Sequence, residues 1–122
     1  MTTAQPAQYT QMALKLIYRA NIFVVNRTRP MLQMGRDDSN DIVIVSLFAS
    51  RLHARVEERD GRFVLTDLSS NGTFLLVDES VSEIRLREEE RVLSGRGRLG
   101  LGKSAALHGD HSVRFALEAE SA

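Results

Sequence analysis

The strongest constraint on this chain is a rhythm: short apolar runs return at roughly ten-residue spacing, each closed by Gly, Asn, Asp, Ser or a charged pair. Runs so short leave no room for an apolar stripe over several helical turns, and the pattern predicts many strands joined by tight turns. Strands are expected near residues 14–19, 22–26, 31–34, 42–45, 53–58, 62–67, 73–77, 83–86, 90–93, 98–101 and 112–117. Val113, Phe115 and Leu117 share one face of the last of these, with Arg114 on the other. Ile42-Val43-Ile44-Val45 does not alternate, which predicts a central strand covered on both faces. Asp60-Gly61 between Val56 and Phe63 predicts a hairpin turn, because Gly accepts positive φ and Asp tolerates it. The expected fold is all-β, an antiparallel β-sandwich of about eleven strands.

Length and charge narrow the function. At 122 residues the chain is expected to form one unit, with a flexible lead-in over 1–11, the sandwich over 12–118 and a short tail over 119–122. Sixteen basic residues balance sixteen acidic ones, so no net field draws the chain to nucleic acid or an anionic membrane. With no Cys there is no disulfide framework and no thiolate metal site. The apolar stretch from Met12 to Val25 is broken by Lys15, Arg19 and Asn21, which suits neither a signal peptide nor a membrane span, and a cytoplasmic location is expected.

Polar residues at strand ends are the candidates for function, since loops at one end of a sandwich can hold binding groups without disturbing the core. Four clusters stand out: Gly35-Arg36, Asn40, Ser50-Arg51-x-His53 and Ser70-Asn71-Gly72-Thr73. Extended by Ile42, Ala54 and Asp67, they resemble in order and spacing the forkhead-associated domain family. That family's members are phosphothreonine-peptide readers built as eleven-stranded, SMAD-like β-sandwiches. The likeness spans about residues 14–117 and is densest from Gly35 to Thr73. The stretch from Ile84 to Gly102 looks like the form of the domain attached to bacterial class III nucleotide cyclases.

The resemblance implies a phosphopeptide site of Arg36, Ser50, Arg51, Ser70 and Asn71. Phosphothreonine carries about −1.5 to −2 charges and three acceptor oxygens, so its receptor needs a fixed cation and several donors. The planar fork of Arg36 can engage two oxygens, where Lys would act as a point charge. Ser50, Arg51 and Ser70 would add donors, and Asn71 would hold the main chain of the peptide. Gly35, Asn40, His53, Gly72 and Thr73 are implied to support the loops. Phe48, two residues before Ser50, is implied to read the third residue after the phosphothreonine and to favour an apolar one. Asp37 and Asp38 either orient Arg36 or favour a basic residue in the peptide, and in both cases lower the local positive potential. The implied partner is a phosphothreonine protein made by a Ser/Thr kinase, with no cofactor, metal or catalytic residue. Thr2, Thr3 and Thr10 on the lead-in could themselves be phosphorylated and captured.

Rival readings are weaker. Gly97-x-x-x-x-Gly102-Lys103-Ser104 fits the letters of a P-loop and Gly95-x-Gly97-x-x-Gly100 those of a dinucleotide loop, but no helix is expected after them to receive phosphate. Ser50, His53 and Asp67 supply the residue types of a hydrolytic triad, yet on one strand an offset of three would put Ser50 and His53 on opposite faces. His108 and His111 are expected at the surface. A sandwich that binds partners without phosphate, through Leu47, Phe48 or an edge strand, is the main alternative function.

Overall fold

The structure of the protein, a computed structural model, describes residues 11–120; the lead-in threonines and the last two residues lie outside them. Eleven strands follow in order: β1 (Met12–Tyr18), β2 (Asn21–Val25), β3 (Met31–Gly35), β4 (Ile42–Val43), β5 (Ala54–Arg59), β6 (Arg62–Asp67), β7 (Thr73–Val77), β8 (Ile84–Leu86), β9 (Glu90–Val92), β10 (Arg96–Leu101) and β11 (Val113–Ala119). The only helical turn among the described residues is a single 3-10 turn at Gly109–His111, and no helix there is long and apolar enough to cross a membrane.

The strands form two sheets, β2-β1-β11-β10-β7-β8 and β4-β3-β5-β6-β9. All ladders are antiparallel except β3–β4, which is parallel. Inward-facing residues of both sheets meet in one core that includes Leu14, Leu16, Leu32, Met34, Val56, Phe63, Leu65, Leu99, Val113 and Phe115. Alternation carries this packing: Val113 and Phe115 are buried while Arg114 is exposed. Asp60 and Gly61, at φ 51° and 84°, turn β5 into β6 with the two left-handed residues that match the twist of a hairpin.

Two expectations need correction. The apolar run 42–45 is an edge and not the centre of its sheet: only Ile42–Val43 pair, at the margin beside β3. Ile42 and Ile44 are fully buried while Val45 is 61% exposed, so the run alternates after all and four apolar letters concealed it. The histidines expected at the surface are also inside: His108 is buried and His111 half-buried, between β10 and β11.

Candidate functional site

At one end of the sandwich the turns after β3, before β5 and between β6 and β7 lie side by side. Backbone bonds join the first two: Arg36 N–H donates to Ser50 O at 2.9 Å and Asp37 N–H to Arg51 O at 3.1 Å. Gly35 is buried in this junction, where a Cβ would collide with the Arg51 carbonyl and crowd Asn40 Nδ2. Asn40, also buried, donates from Nδ2 to Arg51 O at 2.6 Å and to Asp37 O at 2.9 Å. Its single amide group thus closes the turn after β3 and fastens it to the segment before β5.

The third turn is tied in by His53, which is fully buried. Ser50 N–H donates to its Nδ1 at 2.9 Å, so the ring proton sits on Nε2, which donates to Gly72 O at 2.9 Å. Burial holds this imidazole below its ordinary pKa of 6.5, against the pull of the Gly72 carbonyl and of Asp67, 4.0 Å away. The ring is a neutral strut. Ser50 and His53 share a loop and not a strand, and it is the amide of Ser50 that meets the imidazole. The nucleophile-to-base contact of a hydrolase is therefore not formed.

Asp67, whose part sequence reasoning left to the motif letters, organises the turn from inside. Its Oδ1 accepts from Ser69 Oγ at 2.6 Å and Thr73 Oγ1 at 2.7 Å, and its Oδ2 from Glu88 N–H at 2.8 Å. Ser69 Oγ in turn accepts from Gly72 N–H at 2.8 Å, with Gly72 at φ 94°. The Asp-x-Ser spacing at 67–69 was the signal available in the sequence. Arg85 of β8 was missed as well: its Nε and Nη2 donate to Asn71 O at 3.0 and 2.6 Å while the guanidinium lies 5.2 Å from the Phe74 ring centroid.

Arg36, Ser50, Arg51, Ser70 and Asn71, all exposed or half-exposed, lie on these joined turns, the rim of the sandwich. Ser50 Oγ accepts from Ser70 N–H at 3.2 Å, which leaves its own proton to donate outward. Arg36 donates from Nε to Ala49 O at 3.1 Å, and among the described residues its two terminal nitrogens have no partner. Neither Arg36 nor Arg51 is in an ion pair among those residues. Asp37 instead accepts from the amide of Ser39 at 3.0 Å and from its hydroxyl; these bonds, and the nearby charges of Arg51 and Arg36, hold its carboxyl below its ordinary 3.8. The acidic neighbour of Arg36 is thus turned back into its own loop.

Phe48 stands beside the rim, half exposed, with Lys103 Nζ 4.8 Å from its ring centroid and His108 edge-on at 6.0 Å. The glycine segment that mimics a P-loop packs here: Gly102, at φ 85°, lies against the Phe48 carbonyl, and the only helical turn between it and β11 is the short 3-10 turn at Gly109–His111. The segment before Phe48 is held by Tyr18, whose hydroxyl accepts from Val45 N–H at 2.9 Å, and by Ser46, whose Oγ lies 3.1 Å from His108 Nε2. Below Leu47 a mostly apolar depression of about 320 Å³ is lined by Arg36, Asp38, Val43, Val45 and Ser46.

An arginine anchored through Nε with its terminal nitrogens open, beside two serine-bearing turns, is chemically suited to a tetrahedral dianion. Comparison with known proteins gives an independent result. The family model described as FHA domain matches residues 32–95, more than half of the chain. No curated protein sequence matches the chain. Among solved structures it is similar to the Mycobacterium tuberculosis Rv1747 FHA-1, at 18% identity and TM-score 0.65 over 88% of this chain and 97% of that one. It is similar to Mycobacterium tuberculosis EmbR in complex with a low affinity phosphopeptide, at 24% identity and TM-score 0.65; the match takes in 99% of this chain and 28% of EmbR. It is also similar to the MEK1 FHA domain in complex with the HOP1 pThr peptide, at 17% identity and TM-score 0.63 over 88% of this chain and 97% of that one. At these identities the structural likenesses establish the fold. The family model reaches the family and not its cyclase-associated form.

Proposed function

This chain belongs to the forkhead-associated domain family, and from that premise we propose that it binds a phosphothreonine segment of a partner protein on the rim of Arg36, Ser50, Arg51, Ser70 and Asn71. The observation that carries the reading is the state of Arg36. Its Nε is anchored on Ala49 O, its terminal nitrogens are open, and its acidic neighbour is bonded elsewhere. Arg36 takes two phosphate oxygens, Ser50 donates a short hydroxyl bond, Arg51 and Ser70 add donors, and Asn71 holds the peptide main chain. Phe48 favours an apolar residue on the C-terminal side of the phosphothreonine.

The domain acts as a reader with no catalysis of its own. A Ser/Thr kinase must supply the mark, and on this reading the domain works in the cytoplasm with that kinase. Burial of the threonine methyl, worth about 1 kcal/mol, separates phosphothreonine from phosphoserine about fivefold. Calorimetric titration with matched phosphothreonine, phosphoserine, glutamate and unmodified peptides tests the reading. Saturable binding of the first is expected, weakened about tenfold to over a hundredfold in Arg36→Ala. Equal binding of the unmodified peptide, or indifference to Arg36→Ala, would favour phosphate-independent docking through Leu47, which is 91% exposed.

A further inference from the structure

The outward face of the six-stranded sheet carries a row of side chains that no part of the rim explains. The ladder registers align Ile22, Ile17, Arg114, Arg98 and Leu76 across β2, β1, β11, β10 and β7. The neighbouring row aligns Val24, Lys15, Ala116 and Arg96. Arg98 and Arg114 are directly opposed, about 5 Å apart at Cβ, an arrangement that destabilises a sheet when both residues are cationic. Among the described residues Arg96, Arg98 and Arg114 enter no ion pair and their guanidinium groups make no hydrogen bond, while Lys15 is neutralised by Glu118 at 3.0 Å. They border a shallow depression of about 530 Å³, whose lining also includes Asp78 and the Glu118 that pairs with Lys15.

We propose that this face docks an extended acidic segment of a partner protein, whose carboxylates at alternate positions are received by Arg96, Arg98 and Arg114. Charge complementarity favours an acidic occupant: Glu118 is engaged by Lys15, Asp78 forms no ion pair among the described residues, and an anion placed between Arg98 and Arg114 relieves their opposition. Spacing selects an extended one: Arg96 and Arg98 lie two residues apart on one strand, roughly 6.6 Å, which is the repeat of side chains on one face of another extended chain. Composition selects protein over nucleic acid or membrane. Ile17, Ile22, Val24 and Leu76 interleave with only three free cations on a chain of zero net charge, a surface that matches apolar residues between the carboxylates. The face stands apart from the rim, so its occupation does not depend on a phosphothreonine bound there.

The test is a titration with an unphosphorylated peptide of about ten residues in which glutamate alternates with valine and threonine. Saturable binding that weakens as salt is raised is expected, as is its loss when the glutamates are replaced by lysine. Arg98→Ser and Arg114→Ser should each weaken it about two- to fivefold and the double variant about tenfold, while Arg36→Ala leaves it unchanged. The melting temperature of the double variant should stay the same or rise, because a like-charge pair has been removed. Absence of saturable binding, or binding indifferent to the glutamate-to-lysine exchange, overturns the assignment. So does tighter binding of a single-stranded oligonucleotide or of phosphatidylserine vesicles to this face, or a dimer in sedimentation that Arg98→Ser dissociates.

Discussion

The outer face of the five-stranded sheet and the loop rim carry the same residue types in opposite states. On the sheet, Arg59 is closed between Glu57 at 2.6 Å and Glu90 at 2.8 Å, and Arg55 lies 3.3 Å from Glu57. These bonds push Arg59 up and Glu90 down from their ordinary pKa values. On the rim, Arg36 and Arg51 also stand among carboxylates, yet Asp37 is spent on Ser39 and the guanidinium groups are left unpaired. The difference lies in backbone geometry. Along β5 and β9 the strand pleat sets glutamates beside arginines at hydrogen-bond range, whereas the turn after β3 points Asp37 back at its own amides. An arginine among acidic residues becomes a receptor only where the chain gives its acidic neighbours other work.

The comparison breaks most directly at its two arginines. Arg36→Ala should cost about tenfold to over a hundredfold in phosphothreonine affinity with little change in melting temperature, as read by calorimetry and thermal unfolding. Arg59→Ala should leave that affinity unchanged, and Arg36→Lys should recover only part of it, because a point charge replaces a fork. Equal losses from Arg36→Ala and Arg59→Ala would erase the distinction.

The support under the rim gives the next effect. Asp67→Ala strips acceptors from two buried hydroxyls and two backbone amides, and should lower stability by roughly 3 kcal/mol in denaturant unfolding, with a parallel loss of affinity as the turn loosens. Gly35→Ala forces a Cβ onto the Arg51 carbonyl and should cost about 1–3 kcal/mol, displacing the loop that carries Ser50.

A smaller effect is expected from pH. His53 and His108 are both held below 6.5 chiefly by burial, His108 also by His111, Lys103 and His53. Between 6.5 and the depressed folded values the unfolded chain binds more protons than the folded one. Stability is therefore highest above 6.5 and falls as acid is added below it. Unfolding midpoints recorded down through that range should decline in the wild type and decline less in a His53→Gln, His108→Gln double variant, itself less stable at neutral pH.

The fold was legible because strands announce themselves twice, by alternation and by the turn residues between them: Asp60-Gly61 and the Val113 to Leu117 stripe needed no tertiary information. The run 42–45 was misread because uniform apolarity hides which residues face inward, and its place at a sheet edge depends on pairing with β3. At the rim, the motif letters named loop residues on turns that the structure ties together through backbone and His53 bonds. The hidden frame was less readable: Asp67, Arg85 and the His108–Ser46 contact act through bonds between loops distant in sequence, which follow no period. The same holds for the free arginines of β10 and β11, whose opposition exists only once the register is known.

The central claim is that Arg36, with Ser50, Ser70 and Asn71, receives a phosphate. The most direct measurement follows backbone amide and arginine guanidinium NMR signals while a phosphothreonine peptide is added to the protein. Shifts concentrated on the Arg36 side chain and on the amides of Ser50, Ser70 and Asn71, absent with the unmodified peptide, are the predicted result. Shifts centred on Val45 and Leu47, or on either outer sheet face, and the same with or without phosphate, would contradict it.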